Sequence, residues 1–284
     1  MKRSGRVAIV GLALVAALRV LVMAAGFPFF HAVDEHQHVD TIHRWSRGQL
    51  PGDATVHLGD PVIDWALRFG SFEYLEPEPE PPYAARPAFQ PGAPWAALAR
   101  NAFASVVNQE FESPPVYYAT AALWYRLGET ALADLDLLLW LRALNALTLA
   151  LLVLGSHAWL RRRAPGDPLL HTGVPALIAF FPQDAFYGVS PDGFCALVGG
   201  LAFAAAVEAS DGGRRGLRSD VGAGLAIAAA FLAKYTNVVY AGLLAVAYGW
   251  RVLAQGSMRR VAPGAAAAAG AALLPVALWL ARNR

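Results

Sequence analysis

"SPPVYYATAALWYRLG", residues 113–128, is apolar enough to be read as a membrane crossing, and the direction of every later helix depends on whether it is one. The chain has 284 residues, 56% of them hydrophobic, which exceeds the usual share of a soluble domain. A spanning helix needs about 20 mostly apolar residues. Seven other runs meet that need, at about 7–27, 135–160, 169–188, 192–209, 219–235, 236–254 and 261–281. Helix is the form they must take, because an open sheet leaves backbone groups unsatisfied in lipid and barrel strands are much shorter. The expected fold is therefore an all-α integral membrane protein of about seven spans.

The basic residues orient it. With the N-terminus inside, the inner ends carry Lys2, Arg3 and Arg6, then Arg161–Arg163, then Arg214, Arg215 and Arg218, then Arg251, Arg259 and Arg260. That is the positive-inside pattern at four successive inner positions. Counting 113–128 as a span would throw the Arg161–Arg163 cluster outside and invert the rest. The stretch is read instead as an interfacial or re-entrant helix started by Pro114 and Pro115. The first run carries Arg19 and exceeds a signal h-region, which favours a retained span over a cleaved signal peptide. The reading gives a multi-pass protein of the plasma or inner membrane with a cytoplasmic N-terminus.

One long outer loop, about 28–134, follows the first span; in it "EPEPEPPY" (76–83) reads as a solvated linker. A net charge of +2 suggests no nucleic-acid partner, and the single Cys195 excludes an intrachain disulfide framework. At or near the outer boundary the topology gathers Asp34, Glu35, Glu112, Asp192 and Lys234, with Arg19 and Arg142 in the outer thirds of spans one and two and Arg282 and Arg284 after span seven. Ionisable groups at membrane depth are held there by partners or by function. Asp34 also suits the N-cap of a helix over 35–47, with Glu35 favouring its dipole. His36, Asp40 and His43 share one face of that helix and could bind a divalent metal. His36 and His38 are the candidate ligands, against the plainer reading of solvated or hydrogen-bonded histidines.

Five stretches in this order resemble a known class. "VDEHQHVDTIHRWSRGQLP" (33–51) looks like the first outer loop of GT-C-type integral membrane glycosyltransferases, ArnT-like and family 39 protein mannosyltransferase-like enzymes among them. "ESPPVYYA" (112–119), which contains Tyr117, is similar to their Glu/His-x-Pro-Pro-Leu-Tyr-Tyr segment. "LRALNALTLALLVLGSHAWLRRR" (141–163) resembles their second span and "VSPDGFCAL" (189–197) the start of their fourth. "GLAIAAAFLAKYTNVVY" (224–240) resembles their fifth, with Ala233 where threonine is common. The resemblance implies an outer-face active site and a polyprenyl-phosphate-linked sugar as donor. The acceptor would be a lipid, glycan or protein. It also implies further spans, so the chain reads as a module that lacks a C-terminal part.

Chemistry suggests roles. Asp34, or Glu35 beside it, would take the proton of an acceptor hydroxyl. Lys234, Arg142 or Arg19 would stabilise the leaving lipid phosphate. Glu112 and Asp192 would position an acceptor hydroxyl or a metal, Tyr117 would contact substrate, and a divalent ion at His36 or His38 could assist. A transporter using the same groups, or a noncatalytic membrane module, are the alternatives. Transporter sites commonly lie near the bilayer midplane between repeats, and no clear repeat is visible in this sequence.

Overall fold

A computed structural model describes residues 3–30, 34–52, 55–70, 94–181, 184–211 and 216–283. The Pro/Glu stretch 76–83 and the residues Lys2, Arg214, Arg215 and Arg284 lie outside the described residues. The fold is built of helices: α1 Arg3–Gly26, α2 Glu35–Ser46, α3 Asp60–Phe69, α4 Pro94–Ser105, α5 Pro115–Glu129 and α6 Asp134–Arg163. A π-helical turn, Leu169–Gly173, leads into α7 Val174–Phe180; then come α8 Pro191–Ser210, α9 Leu217–Phe231, α10 Val239–Gln255 and α11 Met258–Arg282. Among the described residues β pairing is confined to two isolated bridges, Phe29 with Gly70 and His57 with Val107.

Five segments are long and apolar enough to cross a membrane: Val7–Gly26, Asp134–Arg163, Pro191–Ser210, Tyr235–Gln255 and Met258–Arg282. This makes the protein a multi-pass membrane protein. The third and fifth expected spans take a different form. The helical stretch Leu169–Phe180 and the helix Leu217–Phe231 are about 18 and 22 Å long at the helical rise, short of the roughly 30 Å hydrocarbon core. The first stops because Phe181 precedes a proline in the sequence, and its ψ of 130° is the extended conformation a following proline imposes. The second stops at a turn tied down from outside. The Leu232 carbonyl accepts the Val116 N–H at 2.8 Å, and Asn237 Nδ2 donates to the Ala230 carbonyl at 2.8 Å. Their carbonyls thus find partners without further helix.

Successive long helices alternate in direction between two ends of a bundle. One end brings together Glu35 with Arg142, Asp192 with Lys234, and Tyr235 with Trp279. The other brings together Arg163 with Asp211, and Asp220 with Tyr248 and Arg251. α1 and α6 form one closely packed pair, α9 and α11 another. The second pair is close because Gly224 faces the Ala268 carbonyl and Gly264 faces the Asp220 carboxylate, leaving no room for a side chain at either glycine.

Residues 115–129 are a helix of 15 residues, too short to cross alone, and pack on α2 and α6. Pro115 opens it where an N–H would be unsatisfied anyway. The Trp124 and Trp140 rings stack at 4.0 Å, and each indole N–H donates to the other residue's carbonyl at 2.7 Å. Around this clamp, α2 to α5 form a polar cap on one end of the bundle. Asp40 anchors it by accepting hydrogen bonds from Arg44 Nε, Asn108 Nδ2 and the Gly59 N–H.

Candidate functional site

The cap is joined to the bundle by a buried ion pair. Arg142 on α6 and Glu35 at the start of α2 are both fully excluded from solvent. Arg142 Nε and Nη2 donate to the two oxygens of Glu35 at 3.0 and 2.9 Å. The remaining guanidinium hydrogens go to the carbonyls of Ala24, Phe27 and Pro28, so all five donors are used. Glu35 also accepts the backbone N–H groups of Phe30 and Val189 at 2.8 and 2.7 Å. The Arg142 cation lies 4.0 Å from the centre of the Phe29 ring. Phe30 (φ 59°) and Asp34 (φ 63°) are both left-handed, a strained conformation for Phe30 in particular, and the bond to Glu35 holds Phe30 there. Glu35 and Arg142 are therefore corrected from reactive or phosphate-binding groups to the joint that fixes the cap, since neither has a donor or acceptor left for a ligand.

Beside this joint lies a cleft of about 170 Å³ lined by Glu110, Ser113, Tyr118, Pro191, Lys234 and Tyr235. Four elements meet there: the 3₁₀ turn Gln109–Glu112, the first turn of α5, the start of α8 and the turn after α9. An open hollow of about 540 Å³ continues from it, sharing Ser113 and Tyr235 and adding Gln109, Glu112 and Asn283. Glu110 Oε2 accepts from Ser113 Oγ at 2.6 Å and from Tyr118 Oη at 2.8 Å. Tyr118 spends its single proton on Glu110, so the 2.7 Å contact to His38 Nδ1 requires that nitrogen to donate. A chain His38, Tyr118, Glu110 thus runs from the buried face of α2 to the cleft wall. Burial and the neighbouring Glu110 carboxylate hold the Tyr118 hydroxyl well above the ordinary phenol range, so it stays protonated.

On the opposite wall, Lys234 Nζ bonds to Asp192 in the first turn of α8. Ser190 caps that helix by accepting the Asp192 N–H at 3.3 Å. Both partners of the Lys234–Asp192 pair are over a third exposed, and such pairs contribute at most about 1 kcal/mol. Lys234 can therefore exchange Asp192 for an arriving anion at small cost, beside the positive end of a 20-residue helix.

The other sequence candidates fall elsewhere. Asp34 does not line the cleft. Its Oδ1 accepts from Gln37 Nε2 at 2.8 Å, and Gln37 Oε1 in turn accepts the Gln109 N–H at 2.8 Å, so it orients the strut under the Glu110 turn. Tyr117 is corrected from substrate contact to core, packed between Tyr118 and Phe194 at 5.1 and 5.9 Å. Arg19 is corrected to a helix cap: Nη1 and Nη2 donate to the carbonyls of Phe180 and Phe181 where α7 ends. His36 sits against the Phe103 ring while His38 binds Tyr118, so the two do not converge. His43 packs edge-on to Trp65 and Tyr125, and the Asp40 carboxylate is committed to its three partners. Among the described residues no three His, Cys, Asp or Glu side chains gather as a metal site. Glu112 lines the adjoining hollow, and Asp192 pairs with Lys234 at the edge of the cleft. Glu110, passed over in favour of Glu112, is the carboxylate that lines it.

Burial also gives the cap a pH dependence. His36, His38 and His43 are all held below the ordinary histidine pKa, chiefly by desolvation. For His38 the carboxylates Glu110, Asp34 and Asp192 oppose that shift and Lys234 reinforces it. Unfolded histidines titrate near about 6.5, so below that pH the unfolded chain binds more protons than the folded one. The contribution is whole above that pH and is lost as the pH falls below it. Thermal unfolding in detergent should show a lower midpoint at pH 5.5 than at pH 7.5. His38 accounts for at most about 1.4 kcal/mol per pH unit, and H38N, whose amide can replace Nδ1–H, should shrink the difference. An unchanged midpoint would contradict neutral burial of these imidazoles.

Comparisons of the chain with protein families, with curated proteins and with solved structures find no match.

Proposed function

We propose that the protein is a membrane glycosyltransferase that moves a sugar from a polyprenyl-phosphate donor to a hydroxyl of a lipid, glycan or protein acceptor. The observation that carries this reading is the cleft with a carboxylate on one wall and an exchangeable lysine on the other, Glu110 facing the start of α8 and Lys234. Glu110 takes the acceptor hydroxyl proton as that oxygen bonds to the anomeric carbon. The bond from that carbon to the phosphate oxygen breaks, and the electron pair leaves with the lipid phosphate. Lys234 and the α8 N-terminus stabilise the charge that develops there. A single displacement inverts the anomeric centre.

The polar hollow beside the cleft, with Glu112, Gln109 and Asn283 on its walls, offers hydrogen-bonding groups to a polyhydroxylated acceptor. The sequence-level orientation puts this cleft on the outer face. Nucleotide sugars are made in the cytoplasm, so an outer-face transferase needs a donor carried across on lipid.

The test is binding and transfer of labelled polyprenyl-phosphate sugars by the purified chain in vesicles. K234M should weaken donor binding about tenfold, the factor expected for one hydrogen bond to a charged group. D34N should leave transfer within a few-fold, because an Asn carbonyl can still accept from Gln37. Uptake of solute without transfer, or donor binding unaffected by K234M, would overturn the assignment.

A further inference from the structure

A second site lies at the opposite end of the bundle. α6 packs against both α7 and α8, and the space between those two helices over α6 is a groove of about 570 Å³. Its length is lined by apolar side chains, Leu152 on α6, Ile178 on α7, and Leu201 and Phe203 on α8. Small residues open it: a Cβ at Gly155 would meet nothing within 4 Å. From Leu152 to Arg162 the floor runs about 15 Å at the helical rise, the depth of one leaflet.

The groove ends in polar groups. Trp159, Arg162 and Glu208 form its mouth, with Trp159 Nε1 donating to Glu208 Oε1 at 3.1 Å. Arg162 is exposed and has no ion-pair or hydrogen-bond partner among the described residues. It also lines a neighbouring hollow of about 390 Å³ together with His157, Arg161 and Ile9. There His157 Nδ1 is engaged by the His171 carbonyl at 2.5 Å, and Nε2 is buried without a partner. With Nδ1 as the donor, Nε2 of the neutral ring is an acceptor, which suits a headgroup hydroxyl.

We propose that this groove is a binding site for a phospholipid with a singly charged phosphodiester and a hydroxylated headgroup, of the phosphatidylglycerol kind. One acyl chain lies along α6, the phosphate meets Arg162, and a headgroup hydroxyl donates to His157 Nε2. Basic pockets between membrane helices take up anionic headgroups in this manner. Arg162 carries one positive charge, which a singly charged phosphodiester balances and the doubly charged phosphate monoester of a polyprenyl phosphate exceeds. The site is distinct from the cleft and independent of its chemistry.

The experiment is delipidation in detergent, followed by titration with phosphatidylglycerol, phosphatidylcholine or a long-chain polyprenyl phosphate, read by native mass spectrometry and thermal midpoint. Phosphatidylglycerol should be retained and should raise the midpoint, phosphatidylcholine should do neither, and polyprenyl phosphate should bind less tightly at this end. R162A should weaken phosphatidylglycerol binding about five-fold. G155L should remove the stabilisation by filling the groove; its lipid-free midpoint should not fall, because leucine is the better helix former and has room. Equal effects of the two phospholipids, tighter binding of polyprenyl phosphate that R162A abolishes, or no effect of either substitution would overturn the proposal.

Discussion

R142L should leave little folded protein, and E35L introduced with it should not restore the fold. Removing one member of a buried ion pair costs about 3–5 kcal/mol, because the other charge is stranded without water. Replacing both members of such a pair by apolar residues is often harmless. Here it should not be, because the pair also serves the backbone. Arg142 satisfies the carbonyls of Ala24, Phe27 and Pro28, and Glu35 satisfies the N–H groups of Phe30 and Val189. Each buried backbone group left without a partner costs about 1–3 kcal/mol. The whole stability of a domain is only about 5–15 kcal/mol. R142K should fail nearly as badly, since an ammonium has three donors on a flexible stem and cannot match the planar fork of five. Yield, detergent-resistant monodispersity and thermal midpoint measure this. A double variant folding as well as the parent would show that the backbone bonds do not depend on the pair.

That joint also marks where the sequence stops being readable. The apolar runs are legible because spanning length and apolarity are properties of the sequence itself, and helices lie at all the runs. The sequence puts Glu35 and Arg142 in one layer, and the pairing of an intramembrane arginine with an acid was open to it. It cannot show that the pair absorbs every donor and acceptor, because that depends on the depth at which α6 passes the residues following α1. One of the two short helices escapes for a similar reason: hydrogen bonds from Val116 and Asn237 hold the turn that ends the helix at Phe231. The other ends where the sequence itself carries a stop, at Phe181 before Pro182, Gln183 and Asp184. Glu110 was hidden by local geometry. Two residues apart in a 3₁₀ turn, with three residues per turn, Glu110 and Glu112 point to different sides, and nothing in "QEFESPP" says which side is the cleft. The His36, Asp40, His43 face is real as a helix face. It turns inward, where Trp65, Tyr125 and Asn108 occupy it.

In the transfer assay, E110Q should lower turnover by about 10²–10⁴-fold, the range for a positioned general base. Glutamine is nearly isosteric and can still accept from Ser113 and Tyr118 through its carbonyl, so the fold and the cleft should persist. What it cannot do is take a proton. The contrast with neighbouring substitutions separates base from scaffold. Y118F removes one bond to Glu110 Oε2 and unlinks His38, leaving Ser113 and the carboxylate in place. It should change the pH profile of turnover more than its maximum. E112Q, at the wall of the open hollow, should raise the KM for acceptor while leaving the rate at saturation close to parent. If E110Q retained parental turnover while E112Q lost it, proton abstraction would belong to the hollow and not the cleft. The Ser113–Tyr118–Glu110 cluster would then be read as the fastening that seats the first turn of α5 on the cap.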